Sequence, residues 1–230
     1  MSNCNSAMVS NMRPWIVTGC LLGALAGCQR SGTKTADADA DADAGAPVAA
    51  AAIDIGSALR SDANPVVVLH TSQGPIKLRL NADKAPLTVD NFLAQVESGF
   101  YQQTIFHEVT PGFTILAGGV RPDLSEKRGR YSLRNEAQNG LSNRRGTIAM
   151  ARSADVIDSD TAQFFINVAD NPSLDYQGDT PEQCGYCVFG EVIEGMEVVD
   201  RIANEATRSV GNFTRLPEKT VLIESANKVR

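Results

Sequence analysis

From Val66 onward the apolar residues come in short runs, each broken within a few positions by Gly, Pro or Asn. That punctuation leaves little room for long helices and calls for short strands joined by turns. Residues 66–69 and 76–80 flank Gln73-Gly74-Pro75 and read as a hairpin. Residues 105–109, 113–116, 147–151, 164–168 and 186–192 are further strand candidates, with 220–224 as the last. Helical spacing marks two segments. Residues 85–99 carry Leu87, Val89, Phe92, Leu93 and Val96 before the stop signal of Gly99, and residues 196–203 form the second. Many strands and few helices make a closed barrel or a sandwich, and periodicity alone does not choose between them.

Ahead of this pattern the chain has another character. Arg13 precedes an apolar run that starts at Trp15 and ends in Leu25-Ala26-Gly27-Cys28. A spanning helix needs about 20 apolar residues, so the run is too short; it has the length of a secretory signal's apolar core. Leu-Ala-Gly-Cys also resembles the bacterial lipobox, in which the cysteine is acylated and the peptide before it removed. We expect a lipoprotein signal peptide over 1–27 and a lipid anchor at Cys28. An ordinary secretion signal with an incidental cysteine is the alternative. Each buried CH₂ contributes about 0.8 kcal/mol, so several acyl chains hold firmly. The mature chain is then expected in a bacterial cell envelope, membrane-anchored and facing the periplasm. Gln29 after the cysteine favours the outer membrane by resemblance to enteric sorting rules.

Residues 28–64 are rich in Ala, Asp, Gly and Ser, with alternating Ala and Asp over 36–43. They bury too little apolar surface to offset the entropy of ordering, so a solvated tether is expected. One folded domain remains, 65–230, expected to be monomeric. A net charge of −6 and the absence of any basic run interleaved with aromatics give no support to a nucleic-acid partner.

Three segments point further: FYQQTIFHEVTPGFTILAGG at 100–119, GTIAMAR at 146–152 and TAQFFINV at 161–168. In this order and spacing they resemble the cyclophilin family of peptidyl-prolyl cis-trans isomerases, over about residues 65 to 228. The resemblance implies a mainly β fold, a closed eight-stranded antiparallel barrel capped by two helices. It also implies an enzyme that takes proline-containing, unfolded or extended polypeptides and needs neither metal nor cofactor.

The chemistry is undemanding of functional groups. Resonance gives the peptide bond a rotational barrier of about 18–20 kcal/mol, and X-Pro bonds exchange over tens to hundreds of seconds. A catalyst must favour the twisted amide, whose nitrogen has regained a lone pair. An apolar pocket that grips the proline ring helps, and so does a positive donor aimed at that nitrogen.

By the resemblance, Phe113, Phe165 and Leu174 match the proline pocket, with Met150 and Ala151 on the strand beside it. Gln163 matches a glutamine that hydrogen-bonds substrate backbone. His107 and Glu108 match the catalytic His-Arg pair, and Tyr186 a position that is His in many members. Four departures cluster here. Glu108 replaces the catalytic Arg, Leu116 the Gln that supports it, Thr114 a pocket Met and Ser173 a rim aromatic. An ionised Glu only accepts hydrogen bonds, so it cannot donate to the prolyl nitrogen. The expectation is an isomerase of lowered rate. The alternative is a non-catalytic module that binds proline-containing segments or a protein partner. Arg152, Arg144 and Arg145 are candidates to restore part of the missing charge.

Cys184 and Cys187 form Cys-Gly-Tyr-Cys. A local disulfide and two free thiols are both compatible with that spacing. A zinc site would want two more ligands, which the sequence does not offer.

Overall fold

The computed structural model describes residues 64–129, 132–159 and 161–229. The expected signal peptide, tether and lipidated Cys28 lie outside the described residues.

Among the described residues ten strands form in chain order: β1 (Val66–Thr71), β2 (Gly74–Leu80), β3 (Thr104–Thr110), β4 (Thr114–Ala117), β5 (Thr147–Met150), β6 (Phe164–Asn167), β7 (Val188–Glu194), β8 (Thr207–Val210), β9 (Phe213–Pro217) and β10 (Leu222–Lys228). Two α-helices join them, α1 (Pro86–Glu97) and α2 (Met196–Ala203). Eight strands close into an antiparallel barrel in the order β1-β10-β3-β4-β6-β5-β7-β2. The choice between barrel and sandwich thus falls to the barrel.

Alternation of buried and more exposed positions is plainest in β1 and β2. In β1, Val67 and Leu69 point inward and are fully buried, and register sets them against inward Leu78 and Ile76 of β2. Ile115, Ile148, Phe164, Ile166 and Phe189 complete the interior. Burying each such side chain contributes about 1.5–3 kcal/mol.

The helices close opposite mouths. Phe92 of α1 stacks on Phe164 at 5.7 Å, Tyr101 at 5.1 Å and Phe189 at 5.1 Å, and Phe164 pairs with Met150 at the end of β5. At the start of β5, Met196 of α2 lies beside Gly146. Helix α1 begins at Pro86, preceded by Ala85, which has no side chain to cap with. Glu136 takes over that role: its carboxylate accepts from the Leu87 amide (3.1 Å), the Thr88 amide (2.8 Å) and the Thr88 hydroxyl (2.8 Å).

One element was not anticipated. Strands β8 and β9 form a separate hairpin outside the barrel sheet. Gly211, at φ 56°, makes the turn with Asn212 between Val210 and Phe213. The hairpin covers Ile105 and Val120 with Leu216, Phe213 and Val210, forming a small apolar cluster of its own. The last strand also runs beyond the expected 224, to Lys228.

Candidate active site

Strand β3 departs from strict alternation. Phe106 and Val109 both belong to the barrel core, three positions apart rather than two. The extra residue is taken up by a bulge between Phe106 and Glu108 against β4, which leaves His107 and Glu108 both on the outer side. From Glu108 an outward row runs across the sheet. Glu108 is in register with Leu116, Leu116 with Phe165, and Phe165 with Ala149. Leu116, Phe165 and Ala149 share a second apolar cluster, distinct from the barrel core, with Leu174 and Val188 buried in it and Phe113, Ala151 and Tyr186 packed against it.

This cluster lies on the outer face of the sheet, and the resemblance assigns the proline pocket to it. Phe165 forms its floor, 2 % exposed, and Tyr186 meets it edge-on at 5.5 Å and 82°. Leu174 comes from the segment 171–175, which an asparagine network holds in place. Asn171 Nδ2 donates to Asn167 Oδ1 (2.7 Å) and to the Phe113 carbonyl (3.0 Å). Asn167 Nδ2 donates to Asn143 Oδ1 (3.2 Å), and Asn143 Nδ2 to the Leu174 carbonyl (3.0 Å). Buried amides satisfied in this way set the positions of Phe113 and Leu174 together. None of these asparagines was singled out from the sequence.

The expected site residues do not all converge. Phe113, Ala151, Phe165, Leu174 and Tyr186 belong to the pocket cluster. Met150 does not: it points into the barrel interior, fully buried opposite Phe164. Alternation along β5 places Ala149 outward and Met150 behind the floor, so Met150 supports the pocket without lining it. Gln163 is half-buried beside Gly119, where any Cβ would overlap its side chain. Glycine there lets Gln163 lie flat across the strand end. Of the departing positions, Leu116 joins the apolar floor and Ser173 is exposed on the rim.

His107 is almost wholly enclosed. Phe213 of β9 meets its ring at 6.0 Å, edge-on, and Nδ1 is buried with no hydrogen-bond partner among the described residues. Burial pushes its pKa down to about 4, and hydrogen bonding to the Ile105 backbone and the Gln163 side chain only partly offsets that. Near neutral pH it is a neutral imidazole of the wall, not a proton shuttle.

The whole described barrel, residues 66–228, matches the family model for cyclophilin-type peptidyl-prolyl cis-trans isomerases. The chain belongs to the cyclophilin family. It is 48% identical over 160 residues to peptidyl-prolyl cis-trans isomerase B of Escherichia coli, covering 70% of this chain and 97% of the relative. It is also 48% identical over 164 residues to isomerase A of Dickeya dadantii, covering 71% and 84%. Among solved structures it resembles a cyclophilin-type isomerase of Cryptosporidium parvum at a TM-score of 0.60 and 25% identity, covering 73% of this chain and 98% of that one. A second structure of that protein, determined in the presence of the dipeptide Ala-Pro, gives a TM-score of 0.59 at 25% identity and covers 72% and 99%. Family membership and these relatives make the chain a peptidyl-prolyl cis-trans isomerase of the cyclophilin type.

The charge around this cyclophilin pocket is arranged in a way the motifs did not suggest. Glu108 pairs with Arg215 of β9: Nη2 lies 3.1 Å and Nε 3.3 Å from the same oxygen, Oε1. With both side chains about one-third exposed, the pair is worth on the order of 1 kcal/mol or less. The arginines considered from sequence are engaged elsewhere or lie apart. Arg152 stacks over Tyr186 at 4.9 Å and spends its donors on the carbonyls of Gly185, Ser153, Ala154 and Pro181. Arg145 is bound to Asp200 at 2.7 Å. Arg144 lines a groove together with Arg79, Val188 and Glu191. Cys184 and Cys187 are both buried and are not joined in a disulfide. Thr88 Oγ1 is 3.5 Å from the Cys187 sulfur, so this thiol packs under α1 rather than facing the pocket.

Proposed function

We propose that this cyclophilin-type isomerase acts in a bacterial cell envelope, on X-Pro bonds in extended or unfolded stretches of polypeptide. The prolyl ring sits on Phe165 between Phe113, Leu174 and Tyr186, with Ala151 and Gln163 along the substrate backbone. The observation that carries this reading is the unbroken outward row from Glu108 through Leu116 and Phe165 to Ala149. It makes an apolar floor with one charged end.

The identity of that charged end argues for a lowered rate. A carboxylate beside the twisted amide repels the nitrogen lone pair instead of donating to it. The envelope location rests on the sequence alone: Arg13, the apolar run after it and Leu-Ala-Gly-Cys. A Cys28→Ser chain is expected to leave the membrane fraction for the soluble one when expressed in a bacterium.

Cis/trans exchange of an Ala-Pro peptide, followed by NMR with the full chain, tests the activity. Acceleration is expected, at a rate below that of the Escherichia coli relative measured alongside. No acceleration, together with peptide-induced shifts at Phe165 and Tyr186, would overturn the isomerase reading. The pocket would then be a binding module for proline-containing segments.

A further inference from the structure

The pocket needs a cation, and the residue aligned to supply it is an anion. The structure assigns that cation to Arg215: we propose that its guanidinium, delivered by β9 and held by Glu108, is the donor to the prolyl nitrogen. This rests on the isomerase reading above.

Four observations lead to it. The β8–β9 hairpin lies on the outer face of β3, anchored by Leu216 against Ile105 and by Phe213 on the His107 ring. That anchoring brings Arg215 to the one position of the outward row that is charged. The guanidinium turns its Nε and Nη2 edge to a single carboxylate oxygen, and Nη1 has no partner among the described residues. The group therefore keeps Nη1 uncommitted while its other edge is tied down beside the charged end of the row. Finally, the other guanidinium beside the pocket, Arg152, has a backbone carbonyl on every nitrogen and four of its five N–H donors committed, so its part is to hold the 152–154 and 181–185 segments.

Glu108 then acts as a positioning residue. Without it, a long arginine side chain on a surface hairpin would sample many rotamers, and each ordered one costs entropy at the moment of catalysis. The carboxylate fixes the fork and lowers its net field, which predicts a rate that is reduced but not abolished. No bond is made or broken and no proton moves. As the amide twists, a guanidinium N–H donates to the nitrogen lone pair, and the contact is lost when the amide becomes planar again.

The test uses three full-length chains and the Ala-Pro exchange assay, with melting temperature and peptide Kd measured for each. In Arg215→Met the turnover is expected to fall about 10- to 100-fold, the scale of one charge-assisted hydrogen bond, with Kd little changed. In the exchanged pair Glu108→Arg/Arg215→Glu the ion pair persists and the cation moves to β3; turnover is expected within about threefold of the natural chain or above it. An Arg215→Met chain as active as the natural one overturns the proposal while leaving the isomerase reading intact. An exchanged pair more than tenfold below the natural chain overturns it as well, because the loss then follows β9 packing rather than charge. This second comparison stands even if Arg215→Met fails to fold. A natural chain that does not accelerate exchange removes the isomerase reading, and this proposal with it.

Discussion

The two sides of the pocket are built on different physics. On one side Phe165, Leu174 and Ala149 are nearly as buried as the barrel core, and an asparagine network locks the segment that carries Leu174. On the other side Glu108 and Arg215 meet across two strands through one ion pair that is about one-third exposed. The first side cannot change without disturbing the fold, because packing and binding are served by the same atoms. The second contributes little to stability, so its charges are able to change sign or change strand while the barrel stays intact. That difference explains how a cyclophilin domain tolerates a carboxylate at a position its own family reserves for a cation.

Mutations can break this contrast or sharpen it. Phe165→Ala is expected to have the largest effect: removal of a buried aromatic side chain should cost about 3–5 kcal/mol in urea unfolding and abolish peptide binding together. If binding disappeared with stability intact, the floor would be no part of the core and the contrast would fail.

Acid comes next, through the wall that joins the two sides. An unfolded histidine takes up a proton near pH 6.5, while burial holds folded His107 down to about 4. The fold therefore binds fewer protons than the unfolded chain across this window. The stability that neutral His107 confers is complete above about pH 6.5 and is lost as the pH falls toward 4, to the extent of roughly 3 kcal/mol. Unfolding at pH 7 and at pH 4.5 should show this loss for the natural chain and a much smaller one for His107→Gln. Equal losses in both would place the acid sensitivity elsewhere.

Arg215→Met should have the smallest effect on the fold, below about 1 kcal/mol, since it removes only a partly solvated ion pair. A melting temperature that falls as far as that of Phe165→Ala would show the charged edge to be structural after all.

The same contrast governs what could be read from the sequence. Phe113, Phe165, Leu174 and Tyr186 were assigned through the family resemblance alone, since large apolar residues in strands otherwise read as ordinary core. The strands were legible from the residues themselves, since Val67, Leu69, Ile76 and Leu78 alternate as a half-buried hairpin must. Met150 was set beside the pocket by the same resemblance, together with Ala151, and neighbours on a strand face opposite ways. Arg215 was missed because 107 positions separate it from Glu108 and the hairpin that carries it was not foreseen. Its signal was present, however: Gly211-Asn212 between Val210 and Phe213 is a two-residue turn of the kind that closes hairpins. The bulge in β3 had no such signal, because Phe-His-Glu-Val reads equally well with either residue facing out.

The barrel is sealed by its final strand. β10 is hydrogen-bonded to β1 on one side and to β3 on the other, with Val67 opposite Lys228 at the seam. A chain still being synthesised, or one clipped before Leu222, must leave β1 and β3 as bare edges open to pairing with any passing strand. Closing β1 on β10 is also the strand pairing of longest sequence separation in the described fold, the kind of non-local contact that slows folding.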